Sequence, residues 1–172
     1  MELLWALISF FGGPEMWFGV NVALVAIYSV YRRKVPRAKR RKFKAFVFIY
    51  TLSFGFTVFG AVLLKAMFAL PRPCVPCLEG VGVCNPYCPT DPFDTSFPSG
   101  HVAGAFSALV PYYLVYKKRT GALLGIGLFI ALSRIALGVH TILDVFGGAL
   151  LGIGIALFAW EVYRAYFHEK LA

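Results

Sequence analysis

The stretch AFVFIYTLSFGFTVFGAVLL, from Ala45 to Leu64, runs twenty positions without a charge and is bounded by Lys44 and Lys65. Coiled as an α-helix at ~1.5 Å per residue it rises about 30 Å, the thickness of the hydrocarbon layer of a bilayer. That one segment sets the solvent for the whole chain. With 172 residues, 59% hydrophobic and only 15% charged, the composition fits a single membrane-embedded domain, residues 1–172, and excludes a water-soluble globule.

Four further apolar spans are read outward from it: Met16 to Tyr31, Val102 to Tyr116, Ala122 to Val139 and Ile142 to Tyr163. The expected fold class is all-α, an integral membrane helical bundle of about five transmembrane helices. Leu3 to Phe11 is too short to span and is cut off by Gly12-Gly13-Pro14, so it is read as a short N-terminal interfacial or re-entrant helix. Glu2 stands where a leader peptide needs positive charge, which argues against a signal sequence. Trp5, Trp17, Trp160, Tyr163 and Tyr166 read as interfacial anchors. Gly147, Gly148, Gly152 and Gly154 read as small residues that let helices approach closely.

The basic residues orient the chain. Arg32 to Lys44 holds nine Lys and Arg, the next connection on that side holds Lys117, Lys118 and Arg119, and the tail adds Arg164 and Lys170. By the positive-inside rule these face the cytoplasm. Of seventeen basic residues, only Lys65, Arg72 and Arg134 are left for the opposite face. The expected localisation is the cell membrane, multi-pass, with a site on the extracytoplasmic side. The net charge of +9 raises nucleic acid as a partner, but a basic run between two apolar spans is explained by topology and anionic lipid headgroups. Membrane lipids, and no nucleic acid, are the expected partners.

Three polar islands meet at that outer rim. Lys65 closes the second span, and Arg72 follows between Pro71 and Pro73, which stop the helix near Leu70; Lys supplies a point charge and Arg a bidentate fork, both suited to phosphate. Pro98-Ser99-Gly100-His101 reads as a helix start, with Ser99 as N-cap and Gly100 allowing close backbone approach. Such an N-terminus favours a bound oxyanion beside His101. Arg134 ends the fourth span. His140 and Asp144 are four residues apart, a spacing that puts imidazole and carboxylate on one helical face, so that Asp144 accepts from one ring nitrogen and leaves the other as a nucleophile. No carboxylate cluster suited to Mg²⁺ is found.

Lys65 with Arg72-Pro73, then Pro98-Ser99-Gly100-His101, then Ser133-Arg134 with His140 and Asp144, resembles the tripartite signature of the type-2 phosphatidic acid phosphatase superfamily at every signature position and in order. The resemblance implies a membrane phosphatase acting on a lipid phosphate or polyprenyl diphosphate. It also implies roles: His140 the nucleophile that becomes phosphohistidine, Asp144 its orienting partner, His101 the acid and then the base. Lys65, Arg72, Ser99, the Gly100 amide and Arg134 would hold the phosphoryl oxygens. Neither metal nor cofactor is implied. One departure is size: the chain is a full N-terminal crossing short of six-helix members, unless Leu3 to Phe11 stands in for it. Vanadium haloperoxidases share the signature, but they are soluble.

Cys74, Cys77, Cys84 and Cys88 lie outside the signature, in the outer Cys/Pro-rich loop, residues 71–98. Two disulfides are the favoured reading in that compartment, ahead of zinc binding and free thiols; three pairings stay open, one of them nested as Cys74–Cys88 and Cys77–Cys84. Cys74-Val75-Pro76-Cys77 also raises a rival function, a membrane thiol-disulfide oxidoreductase. That rival leaves the three islands without a purpose.

Overall fold

The computed structural model describes residues 2–34, 36–77, 84–91, 94–117 and 120–167. Lys118, Arg119, His168 and Lys170 lie outside them. Six helices follow in order: α1 (Glu2–Gly12), α2 (Pro14–Tyr31), α3 (Arg37–Phe68), α4 (Gly100–Tyr116), α5 (Thr120–Ala136) and α6 (Ile142–Phe167). Among the described residues the only β pairing is an isolated bridge, Pro76 with Asn85. The all-α expectation holds.

By length and composition, α3 and α6 each suffice to cross a bilayer, and α1 with α2 makes a third crossing if the pair, bent by 44° at its break, is one span. α4 and α5 have 17 residues each, about 26 Å at ~1.5 Å per residue, somewhat short of the hydrocarbon thickness. The basic connection is shorter than the sequence suggested. α3 already begins at Arg37 behind an N-cap Pro36, because Arg and Lys are good helix formers and no breaker follows that proline.

α4 is the central helix. It packs against each of the other five, and ten of its seventeen residues are buried, the consequence of a helix apolar on every face. α6 meets it through a stripe of small residues: Gly148, Gly152, Ala156 and Ala159 are buried at spacings of three and four. A Cβ on Gly148 would lie 2.5 Å from Ser99 O, and one on Gly152 would lie 2.4 Å from Ala103 O. Gly147 lies against the Phe97 ring, whereas Gly154 faces open space, so three of the four glycines serve close packing. The outward faces of α3 and α6 carry exposed Phe56, Phe59, Val62, Phe146, Leu150 and Phe158, an apolar exterior suited to lipid.

One of the expected anchors is a core residue instead, and another is half-buried. Tyr163 is fully buried with Ala45, Ile49, Val115 and Ala159. Trp17 packs on the cluster of Tyr50, Phe54 and Ala108, and its carbonyl accepts from the Tyr50 hydroxyl at 2.6 Å. Aromatic type alone does not separate a ring that faces lipid from one that fills a helix crossing. Tyr166 is strongly exposed, as an anchor should be.

Candidate active site

Three chain segments enter the site, each from a helix end. α3 ends at Phe68; Ala69 takes a left-handed conformation and its N–H caps Lys65 O. That leaves Lys65 on the last turn and Arg72 on the extended exit. Lys65 Nζ donates to Asp94 Oδ1 at 2.7 Å and to Thr95 O. Arg72 is held more fully: Nε donates to Asp94 O at 2.9 Å, one terminal nitrogen to Val139 O at 3.1 Å, and the other pairs with Asp94 Oδ2 at 2.9 Å. Burial pushes the Asp94 carboxyl up, but the Lys65 hydrogen bond and the Arg72 and Lys65 charges outweigh it and hold the group below the usual carboxylate range.

The second segment is the start of α4. Ser99 is the residue before the helix, as expected, yet its hydroxyl makes no capping bond. The Ser99 N–H donates to Asp144 O at 2.9 Å, and the Ser99 Oγ is buried with no hydrogen-bond partner among the described residues. A buried hydroxyl left open is costly unless something fills it, and it suits a bound oxyanion. Gly100 has open space where its Cβ would stand. His101 lies in the field of Arg134, Arg72, Asp94 and Lys65, and Gly12, at the α1–α2 break, packs against its ring.

The third segment is the turn between α5 and α6. Gly138 adopts φ +66°, a left-handed conformation that glycine takes without strain, and the turn returns the chain so that His140 follows the buried Arg134. His140 precedes α6 and is not on its face. Thr141 starts the helix: its N–H donates to Asp144 Oδ2 at 2.7 Å, and Asp144 N–H reaches Thr141 Oγ1 at 3.3 Å, a reciprocal cap of the capping-box kind. That cap, not an i, i+4 helical face, brings Asp144 to the ring. Asp144 Oδ2 lies 3.6 Å from His140 Nδ1, a separation longer than a hydrogen bond. Ser96 Oγ donates to the same oxygen.

The ring's tautomer follows from its other side. An Arg72 terminal nitrogen lies 3.1 Å from His140 Nε2, and guanidinium only donates. Nε2 therefore carries the lone pair, and the ring proton sits on Nδ1 facing Asp144. Burial first, then the Arg72 and Arg134 charges, depress the imidazole below its ordinary pKa, with Asp144 opposing. The result is a neutral ring, 3% exposed, with its Nε2 lone pair turned toward cations.

All eight residues expected from the sequence thus converge: Lys65, Arg72, Ser99, Gly100, His101, Arg134, His140 and Asp144. Four others went unseen. Thr141 was readable, since Thr-x-x-Asp before an apolar run is a helix-start signal. Asp94, Ser96 and Asn85 carry no such pattern. Asn85 Nδ2 donates to Leu137 O at 2.6 Å and so docks the outer loop on the α5–α6 turn. That loop is stapled by Cys74–Cys88 and Cys77–Cys84, the nested pairing; the four thiols are thereby spent and do not make a zinc site. Among the described residues no three His, Cys, Asp or Glu side chains converge as metal ligands.

Residues 46–167 match the family model described as the PAP2 superfamily. An 81-residue segment is 40% identical to the bacitracin transport permease protein BcrC of Bacillus licheniformis, covering 46% of this chain and 40% of that protein. A 77-residue segment is 36% identical to the putative undecaprenyl-diphosphatase YbjG of Escherichia coli (strain K12), covering 44% and 39%. The chain thus spans about two fifths of the length of these relatives. Among solved structures, the transmembrane PAP2-type phosphatidylglycerolphosphate phosphatase from Bacillus subtilis superposes with a TM-score of 0.69 at 21% identity, over 96% of this chain and 77% of that one. Aquifex aeolicus LpxE superposes with a TM-score of 0.59 at 24% identity, over 93% and 85%. These likenesses establish a shared fold, and with the family model covering most of the sequence, the chain belongs to the PAP2 superfamily.

Proposed function

We propose that this protein is a metal-independent phosphatase of the cell membrane that removes phosphate from a lipid phosphate or polyprenyl diphosphate through a phosphohistidine on His140. The observation that carries the reading is the setting of the His140 ring: buried, with Arg72 3.1 Å from Nε2 and the Asp144 carboxylate 3.6 Å from Nδ1, an arrangement that leaves the Nε2 lone pair to meet phosphorus. In the first step Nε2 attacks phosphorus, the P–N bond forms and the P–O bond to the lipid breaks. His101, charged once the phosphate dianion is seated beside it, gives its proton to the departing oxygen. Arg72 exchanges its contact with Nε2 for a phosphoryl oxygen, and Lys65, Arg134, Ser99 and the Gly100 amide hold the others as charge develops. In the second step His101 takes a proton from water, which attacks phosphorus; the P–N bond breaks, its electron pair returns to Nε2, and inorganic phosphate leaves.

In this reading the chain crosses five times with the basic connection inside, and the positive-inside rule then supports a site on the extracytoplasmic side. A lipid substrate fits the surroundings. An apolar cavity of about 150 Å³ runs from Lys65 and Gly100 along Ala61, Val58 and Phe54 of α3 and Gly104 of α4, where the first units of a tail can lie while the phosphate meets the cations. The printed activities of the relatives include undecaprenyl-diphosphatase and phosphatidylglycerolphosphate phosphatase. An outward site favours the polyprenyl diphosphate, which is released on that face. The thiol-disulfide reading is not favoured, since the four cysteines staple a loop that braces Arg72 and the α5–α6 turn.

The test is phosphate release by purified protein from polyprenyl diphosphate, phosphatidic acid and phosphatidylglycerol phosphate, with and without EDTA, beside His140→Ala. Release by wild type that persists in EDTA and is abolished in His140→Ala is expected. Equal release by the two proteins would overturn the mechanism, and loss in EDTA restored by Mg²⁺ would overturn metal independence.

A further inference from the structure

Asp94 belongs to no motif, yet its carboxylate lies across two of the cations assigned to the substrate, Oδ1 at 2.7 Å from Lys65 Nζ and Oδ2 at 2.9 Å from an Arg72 terminal nitrogen. Two oxygens bridging an ammonium and a guanidinium reproduce what two oxygens of a phosphoryl group would do there. We propose that Asp94 is an internal anion that fills the phosphate seat when the site is empty and competes with phosphate for Lys65 and Arg72, so that it sets affinity for the phosphoryl group and speeds release of inorganic phosphate. The proposal rests on the reading of Lys65 and Arg72 as phosphate ligands.

Three features separate this role from simple bracing of the cations. First, the cations have other holders: Lys65 Nζ also donates to Thr95 O, and Arg72 donates to Asp94 O and Val139 O, all main-chain carbonyls that stay when the carboxylate leaves. Second, the exposures are unequal, 36% for the Asp94 side chain against 18% for Lys65 and 9% for Arg72. The carboxylate can turn to water without becoming a buried unpaired charge, and the cations cannot. Third, the main chain at Asp94 is fixed by its own N–H to Asp91 O at 3.1 Å and by its carbonyl to Arg72 Nε, so displacement needs only a side-chain rotation. A phosphate dianion and this carboxylate cannot share the two cations without like charges in contact, so one must yield.

The experiment measures binding of inorganic phosphate, independently of turnover, by calorimetry on the detergent-purified full chain, comparing wild type, Asp94→Asn and Asp94→Ala. Partly exposed ion pairs of this kind tax the apparent affinity modestly, so both variants are expected to bind phosphate about fivefold more tightly or better, with KM for the lipid substrate falling and phosphate inhibition rising. Unchanged or weaker phosphate binding in both variants, each still folded as shown by cooperative melting, would show that the carboxylate only braces the cations and overturns the proposal. Asp94→Ala guards against an asparagine that mimics the bridge: tighter binding in Asp94→Ala alone still supports competition. Tighter binding in a protein that hydrolyses no lipid phosphate would leave the competition standing and sink the phosphatase reading; hydrolysis with unaltered phosphate binding would do the reverse.

Discussion

Replacing Gly148 by Ala tests how the bundle holds its two reacting halves together. A Cβ at this position would stand 2.5 Å from Ser99 O and 3.3 Å from both Ala103 N and Val102 Cβ. The nearest of these is backbone at the start of α4, which cannot rotate away. Ordinary contact begins near 3.4 Å, so α6 and α4 must separate locally by about 0.9 Å. The first casualty is one turn away, the bond from Ser99 N–H to Asp144 O at 2.9 Å, the link between the segment carrying His101 and the one carrying His140. Overpacking of this kind costs about 1–3 kcal/mol of stability, and a misplacement near 1 Å between reacting groups costs on the order of a hundredfold in rate. The assay is kcat for phosphate release together with the melting temperature in detergent, with Gly154→Ala as control because its Cβ would meet nothing within 4 Å. Gly148→Ala is expected to lose far more activity than its modest loss of stability explains, and Gly154→Ala to keep both. Activity within threefold of wild type in Gly148→Ala would refute the claim that this helix contact sets the site's geometry.

Ser96→Ala removes a donor from the buried Asp144 and leaves Thr141 N–H and the distant ring; kcat is expected to fall about tenfold with little change in KM, and a fall in KM affinity alone would count against it. Cys74→Ser with Cys88→Ser opens a bridge of sequence separation 14, worth about 3 kcal/mol in loop-closure entropy, so the melting temperature should drop by several degrees and Arg72, two residues away, should hold substrate less well; a protein whose melting point ignores strong reductant would argue against a stapled loop. Stability should also respond to acid through Asp94. Its folded carboxyl titrates below its unfolded value, so its contribution is complete above the unfolded value near ~4 and is lost as pH falls through the lowered folded value. The melting-point gap between wild type and Asp94→Asn should therefore be widest at neutral pH and close below about pH 4, and a gap that does not narrow contradicts the pairing with Lys65 and Arg72.

Much of the site was legible because its chemistry is carried by residue types that membranes exclude. Lys65, Arg134 and Asp144 stand out against apolar spans for that reason, and helix-end residues such as Ser99 and Pro98 announce themselves by local preference. The geometry inside each island was less legible. The i, i+4 reading of His140 and Asp144 placed both on one helix, whereas Thr141 takes the cap and leaves His140 in the turn; four-residue spacing fixes proximity only where the helix has already begun. Ser96 and Asn85 went unseen because a small polar residue in a Pro/Gly-rich loop has no periodicity to betray its partner. Tyr163 was misread since a ring near a span end is equally apolar facing lipid or facing α3 and α4.

The sequence by itself determined the solvent, the helical class and the residues that meet at the candidate site, because each of these depends on local composition and on spacing along one chain; the cysteine pairing stayed one of three until the structure selected the nested one. Only the tertiary structure decided which partners those residues take. His140 Nε2 meets Arg72, 68 residues away, and Lys65 meets Asp94, 29 residues beyond it. Contacts of that range are fixed by the close approach of α4 and α6 and by the stapled loop, and no local rule encodes where such surfaces meet.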